Sequence, residues 1–182
     1  MPTPRPMLAS NDVVLRDEFA QLQYPKVASP KLDGFRQYNI NGKTTTRSGK
    51  QIANLHTRKI LSRPEFHGLD GELITGDATA PDALHKAQSA FSTITGQPDF
   101  KWYIFDDFTR GNAGFWGHWQ SSLKPRGLSL PDFCIVIGQQ LVSNAEELLA
   151  FHKDVTQMGF EGTVLRAPRR PYQHNRSSRK QE

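Results

Sequence analysis

The chain has 182 residues, enough for one domain with a real hydrophobic core, and its formal net charge of +5 favours an anionic partner, of which nucleic acid is the commonest. Its single cysteine, Cys134, excludes an intrachain disulfide and suits a reducing cytoplasm, and the scattered histidines His56, His67, His85, His118, His152 and His174 show no paired metal-ligand spacing. No apolar run reaches membrane-spanning length and no charged-then-apolar signal opens the chain, so a soluble protein with no membrane partner is expected.

Residues 1–6 are proline-rich and read as extended, within a leader over 1–25. Residues 26–30 then run into Lys31-Leu32-Asp33-Gly34-Phe35-Arg36, a K-x-D-G-x-R spacing that places a lysine beside a carboxylate and an arginine. A lysine that attacks a phosphate must be neutral part of the time, against an ordinary pKa of about 10.4, so cations or desolvation must act on it. Asp-Gly alone is also an ordinary turn signal. Residues 35–40 and 43–47 flank Asn41-Gly42, which predicts a type I′ hairpin. With that loop Ile40 faces Lys43 and, further along, Arg36 faces Arg47. Two opposed like charges need an anion between them or must splay into water, and beside Lys31 they would make a phosphate site.

Further on, residues 69–75 read as a strand, 81–94 as a helix and 101–108 as an aromatic strand whose Tyr103, Phe105 and Asp107 share a face. Phe105 could stack on a purine or simply fill the core. Residues 109–131 read as loop or short helices with Trp116 and Trp119 outward, and 133–142 as one strand that buries Cys134. Residues 143–158 form the best helix: Leu148, Phe151, Val155 and Met158 recur at helical spacing, Ser143 and Glu146 match a capping box, and Gly159 supplies the stop. A strand over 163–166 follows. Glu72 and Glu161 each stand beside a glycine at an apolar strand, where a carboxylate is costly unless it meets a metal, a cation or hydroxyl groups. The fold class is α+β, with mainly antiparallel sheets and flanking helices.

Taken in order, Lys31 to Arg36, Thr46-Arg47-Ser48-Gly49-Lys50, Leu69-Asp70-Gly71-Glu72-Leu73, Tyr103-Ile104-Phe105-Asp106 and Glu161-Gly162-Thr163-Val164-Leu165-Arg166 resemble the motifs of ATP-dependent DNA ligases, particularly the compact bacteriophage enzymes. The leader Arg5-Pro6-Met7-Leu8-Ala9 is similar to theirs as well. The resemblance implies an ATP-grasp-like nucleotidyltransferase (adenylation) domain over 26–168. It implies that Lys31 attacks ATP to form lysyl-AMP, and that AMP passes to a 5′-phosphate and the nick in duplex DNA is sealed. Asp33 would orient the nucleophile region, and Arg36 and Arg47 would contact ribose and phosphates. Glu72 would bind ribose or a metal, Phe105 would stack on adenine, Glu161 would help hold Mg²⁺, and Arg166 would join the nucleotide site.

The chain departs from the pattern at its end. Residues 169–182 form a basic tail in which Arg176, Arg179 and Lys180 precede Glu182, with no Lys-x-Lys strand and no OB-fold domain. Losing such a donor typically costs about 2.7–4 kcal/mol in barrier. The expectation is a monomer that is a truncated ligase or half of a split one, whose C-terminal portion is separately encoded. An RNA ligase, a capping guanylyltransferase and a non-catalytic nucleotide- or DNA-binding remnant are the alternatives.

Overall fold

A computed structural model describes residues 6–8 and 14–174, so the basic residues Arg176, Arg179 and Lys180, and Arg5 and Ala9 of the leader motif, lie outside the described residues. In chain order the elements are β1 (Lys26–Lys31), β2 (Phe35–Ile40), β3 (Lys43–Thr46), α1 (Leu55–Leu61), β4 (Leu69–Ile74), α2 (Ala83–Ser92) and β5 (Lys101–Asp107). After these come α3 (Phe115–His118), α4 (Lys124–Gly127), β6 (Cys134–Val136), β7 (Gln140–Val142), α5 (Ala145–Gln157) and β8 (Gly162–Arg166). Two sheets result: five strands in the order β3-β2-β4-β5-β6 and three in the order β7-β1-β8. Every strand pair is antiparallel except β5 with β6, which bears out the expected mixed α+β class.

The β2–β3 turn forms as its sequence dictates, with Asn41 and Gly42 at φ 50° and 74° and a ladder from Ile40↔Lys43 to Gln37↔Thr46. The ladder stops there. Arg47 lies in the turn beyond β3, and Arg36 sits opposite Glu72 of β4, so the expected Arg36–Arg47 pairing does not form. A carboxylate across the sheet relieves the like-charge conflict that such a pairing would create.

The five-stranded sheet buries one face. Leu69, Leu73, Trp102 and Ile104 pack there with Phe66, Phe91 and Phe100, covered by α1, α2 and the helical run from Phe115 to Gly127. The other face carries Arg36, Asp70 and Glu72. Its pattern changes at a bulge: Gly71 pairs with Ile104 and Asp70 with Asp106, leaving Phe105 as an extra residue on β5. Simple alternation put Tyr103, Phe105 and Asp107 on one face, whereas the bulge brings Asp106 round to Asp70 and carries Asp107 to Leu69.

Other expectations are corrected. Residues 133–142 are not one strand, because the chain leaves the larger sheet after Val136, Ile137 donates its N–H to the Ile104 carbonyl, and β7 begins in the smaller sheet. Trp116 and Trp119 stack with centroids 5.3 Å apart, and Trp119 is buried rather than exposed. At α5 the cap lies one residue later than Ser143: the Asn144 side chain accepts from the Glu147 N–H at 2.9 Å while Glu147 accepts from the Ser143 N–H at 2.8 Å. Gly159, at φ 93°, does end the helix. Within the segment read as a leader, the 3-10 turn Arg16–Gln21 plants Phe19 in the core of the smaller sheet with Ala28, Val142 and Leu148. In the described part of the basic tail, Arg170 and Tyr172 are buried.

Gly71 on β4 leaves no room for a side chain beside β5. A Cβ there would strike the Tyr103 carbonyl oxygen and come within 2.8 Å of the Trp102 indole Nε1. Gly71→Ala should therefore cost about 1–3 kcal/mol of stability, read as a lower midpoint in chemical denaturation. An unchanged midpoint would contradict that spacing.

Candidate functional site

Sheet register places the lysine. Lys31, the last residue of β1, pairs with Gly162 at the start of β8, so Glu161 arrives beside it. The Lys31 ammonium is ion-paired with Glu161 Oε2, and both side chains are about half exposed, at 47% and 50%. An ammonium has no lone pair, so in this ion-paired form the side chain is not nucleophilic. Asp33 and Gly34 form the link to β2. A Cβ on Gly34 would lie 2.8 Å from both Ile74 Cγ1 and the Leu73 carbonyl oxygen, so glycine lets this loop press against β4.

Arg36 is fixed on several sides. Its Nε and Nη2 donate to Asp70 Oδ1 and Oδ2, both at 2.8 Å, and Nη2 also donates to the Met7 carbonyl at 2.9 Å. Its guanidinium carbon lies 4.4 Å from the centre of the Phe105 ring, within cation–π range. Arg166 approaches the same ring at 5.2 Å while donating to Asp106 Oδ2 at 2.8 Å. Asp106 also accepts from Arg110 Nε at 2.9 Å and from the Asp107 N–H at 2.8 Å. Burial and the neighbouring Arg36 and Arg110 hold the Arg166 pKa below its usual value despite Asp106.

Glu72 stands between these groups. Its Oε1 is 3.8 Å from Arg36 Nη1, and its buried Oε2 has no hydrogen-bond partner. Burial pushes its pKa up to about 7; Arg36 and Arg47 pull it down, while Asp70 and Asp33 push it further up. Those charges also locate Asp33 and Arg47 around the same carboxylate. Arg47 itself is exposed on a turn closed by the Thr46 N–H to the Lys50 carbonyl at 2.7 Å.

The structure thus brings Lys31 to Glu161, and gathers Arg36, Glu72, Phe105 and Arg166, with Asp33 and Arg47 at the margin. Among the described residues no group of three or more His, Cys, Asp or Glu side chains could hold a metal ion. Sequence reasoning missed Asp70, Asp106 and Tyr172. The only signal was an isolated acid in an apolar strand, which Asp-Gly turn chemistry masked at Asp70.

No family model and no curated protein matches the chain. Among solved structures it is similar to the Chlorella virus DNA ligase-adenylate, with 26% identity, 97% of this chain and 64% of that chain covered, and a TM-score of 0.81. It is also similar to the ATP-dependent DNA ligase of bacteriophage T7 in complex with ATP, at 16% identity over 97% of this chain and 67% of that one, with a TM-score of 0.66. A Lig E DNA ligase matches at 21% identity over 85% and 59% of the respective chains, with a TM-score of 0.64. The chain therefore has the fold of the DNA ligase adenylation domain, and spans about two thirds of the length of the Chlorella virus protein.

Folding favours the protonated form of Glu72. Its contribution to stability is complete below its unfolded pKa, about 4.5, and is lost as pH rises through about 7. Wild type and Glu72→Gln should be comparably stable near pH 5, and wild type should be weaker near pH 8 by on the order of 2–3 kcal/mol. Urea melts across that range check this, and a gap independent of pH would show that the carboxylate is not desolvated as described.

Proposed function

We propose that this chain is the adenylation domain, or a catalytic fragment, of an ATP-dependent DNA ligase, with Lys31 as the nucleophile. The observation that carries the reading is the half-exposed Lys31 at the β1–β8 edge, with two arginines fixed over an aromatic ring in the facing sheet. Similarity to a DNA ligase-adenylate over nearly the whole chain supports it.

In this reading ATP is the co-substrate. After Lys31 Nζ loses its proton, it forms a bond to the α-phosphorus while the bond to pyrophosphate breaks, leaving AMP on the lysine as a phosphoramidate. AMP then passes to the 5′-phosphate of nicked duplex DNA, and the 3′-hydroxyl displaces it. Charge that develops on the α-phosphate must be met by donors already in place. In this reading Arg36 and Arg166 supply them, and their bonds to Asp70 and Asp106 hold both without a ligand. In this reading adenine would stack on Phe105, whose buried ring now lies against the Arg36 and Arg166 guanidiniums, and Glu72 offers an unpartnered oxygen to a ribose hydroxyl. Arg47 and Asp33 complete the margin of the nucleotide site.

Mg²⁺ suits the donors present, since this ion takes oxygen ligands, commonly one or two carboxylates together with substrate phosphates and water. Glu161 and Glu72 would hold it, and bound there it would neutralise phosphate charge. Nicked DNA is the partner this reading implies.

Incubating the chain with α-labelled ATP and Mg²⁺, followed by denaturing electrophoresis, should place label on wild type and none on Lys31→Ala. Label on the variant would refute Lys31 as nucleophile. Glu161→Ala should raise the Mg²⁺ concentration needed for half-maximal labelling, and an unchanged titration would remove Glu161 from the metal's ligands.

A further inference from the structure

A single hydroxyl group joins three distant parts of the chain. Tyr172 Oη donates to Asp70 Oδ2 at 2.6 Å and accepts from the Met7 N–H at 2.9 Å, and both bonds are buried. Arg36 closes the circuit, because it donates twice to Asp70 and once to the Met7 carbonyl. Arg36, Asp70, Tyr172 and Met7 thus form a ring of hydrogen bonds beneath the Phe105 face. The tyrosine is itself anchored, with its ring 6.0 Å from that of Phe108, its centroid 5.7 Å from the Arg110 guanidinium, and its N–H on the Gly111 carbonyl at 3.3 Å.

We infer that Tyr172 is a positioning residue for the nucleotide site: its hydroxyl sets Asp70 and the Met7 peptide in the arrangement that holds the Arg36 guanidinium over Phe105. The inference rests on the reading of Arg36 and Phe105 as nucleotide contacts. Asp70 is fully buried, so its oxygens have only these donors to choose from. Removing the hydroxyl leaves Oδ2 with one donor and the Met7 N–H with none, and both losses loosen groups that Arg36 leans on. Burial first and Asp70 second push the tyrosine pKa well above its usual value, so the hydroxyl stays a donor at any working pH. Its effect on the site is therefore flat with pH, unlike that of Glu72.

The test is Tyr172→Phe, which keeps the ring, beside Phe100→Leu as a core control on the opposite face of the sheet. In the labelling reaction Tyr172→Phe should raise the ATP concentration for half-maximal rate about tenfold, equally at pH 6 and pH 8, with a smaller change at saturating ATP. Phe100→Leu should lower the melting temperature without that rise. In the ligand-free chain, the Arg36 Nε–H resonance should be protected from exchange in wild type and lose protection in Tyr172→Phe. Met7→Pro, which removes the N–H that Tyr172 accepts along with the methionine side chain, should act in the same direction on the Arg36 resonance and serves if Tyr172→Phe does not fold. An unchanged Arg36 resonance, or a rise that Phe100→Leu reproduces, overturns the inference. If wild type takes no label the proposed reaction fails, and the Arg36 resonance decides the positioning role by itself.

Discussion

Asp70 and Asp106 face each other across β4 and β5, both buried, and each is tolerable only because an arginine from elsewhere in the fold neutralises it. Opposed like charges in a sheet are destabilising, and a buried carboxylate without a partner is more so. Arg36 comes from the adjacent strand and Arg166 from the other sheet, and their guanidiniums meet over one ring, that of Phe105. The arginines need the aspartates equally, since each lies close enough to the other to repel it. Removing either carboxylate would strand a buried cation, a change that typically costs about 3–5 kcal/mol. The bulge at Phe105 allows this, because without the extra residue Asp106 would point into the apolar core.

The same contacts determine how the two sheets sit. Arg166 leaves β8 of the smaller sheet to reach Asp106 in the larger one, and Gln139, in the crossover between β6 and β7, donates its amide to the Phe105 carbonyl at 3.0 Å. The Lys31–Glu161 pair lies at the other end of β8, so the Arg166–Asp106 ion pair also bears on how far Lys31 stands from the arginines. The division of tasks is physical. Lys31 is half exposed, whereas the side chains of Arg36 and Arg166 are largely buried and ion-paired. Preorganised donors of this kind do not have to reorganise as charge develops.

Local chemistry made the β2–β3 hairpin, β4, β5, α2 and the Gly159 stop legible in the sequence, because turn residues and apolar period decide those elements alone. What stayed hidden depends on partners remote in sequence. Residues 133–142 carry an apolar pattern that no period distinguishes from one strand, although the chain changes sheets after Val136. The seven residues of α1 are too few to display a helical period, and its Asn54 cap reads like any loop asparagine. The family motifs named candidate residues, yet they could not reveal that Arg36 is held by Asp70, since that contact depends on how β2 and β4 pair. Tyr172 lay in what looked like a polar tail, and only its burial against Phe108 gives it a role.

Glu72 closes the electrostatic argument. The dry cluster contains the guanidiniums of Arg36, Arg110 and Arg166 against the carboxylates of Asp70 and Asp106, which leaves it one positive charge. Ionised Glu72 would cancel that charge; protonated Glu72 preserves it, and burial brings its pKa to about 7, where either state is accessible near neutral pH. A phosphate approaching the wall is drawn by the net positive form, while a hydroxyl donor is met better by the carboxylate. An anion bound at the arginines would oppose ionisation of Glu72, and a hydroxyl bonded to Oε2 would favour it.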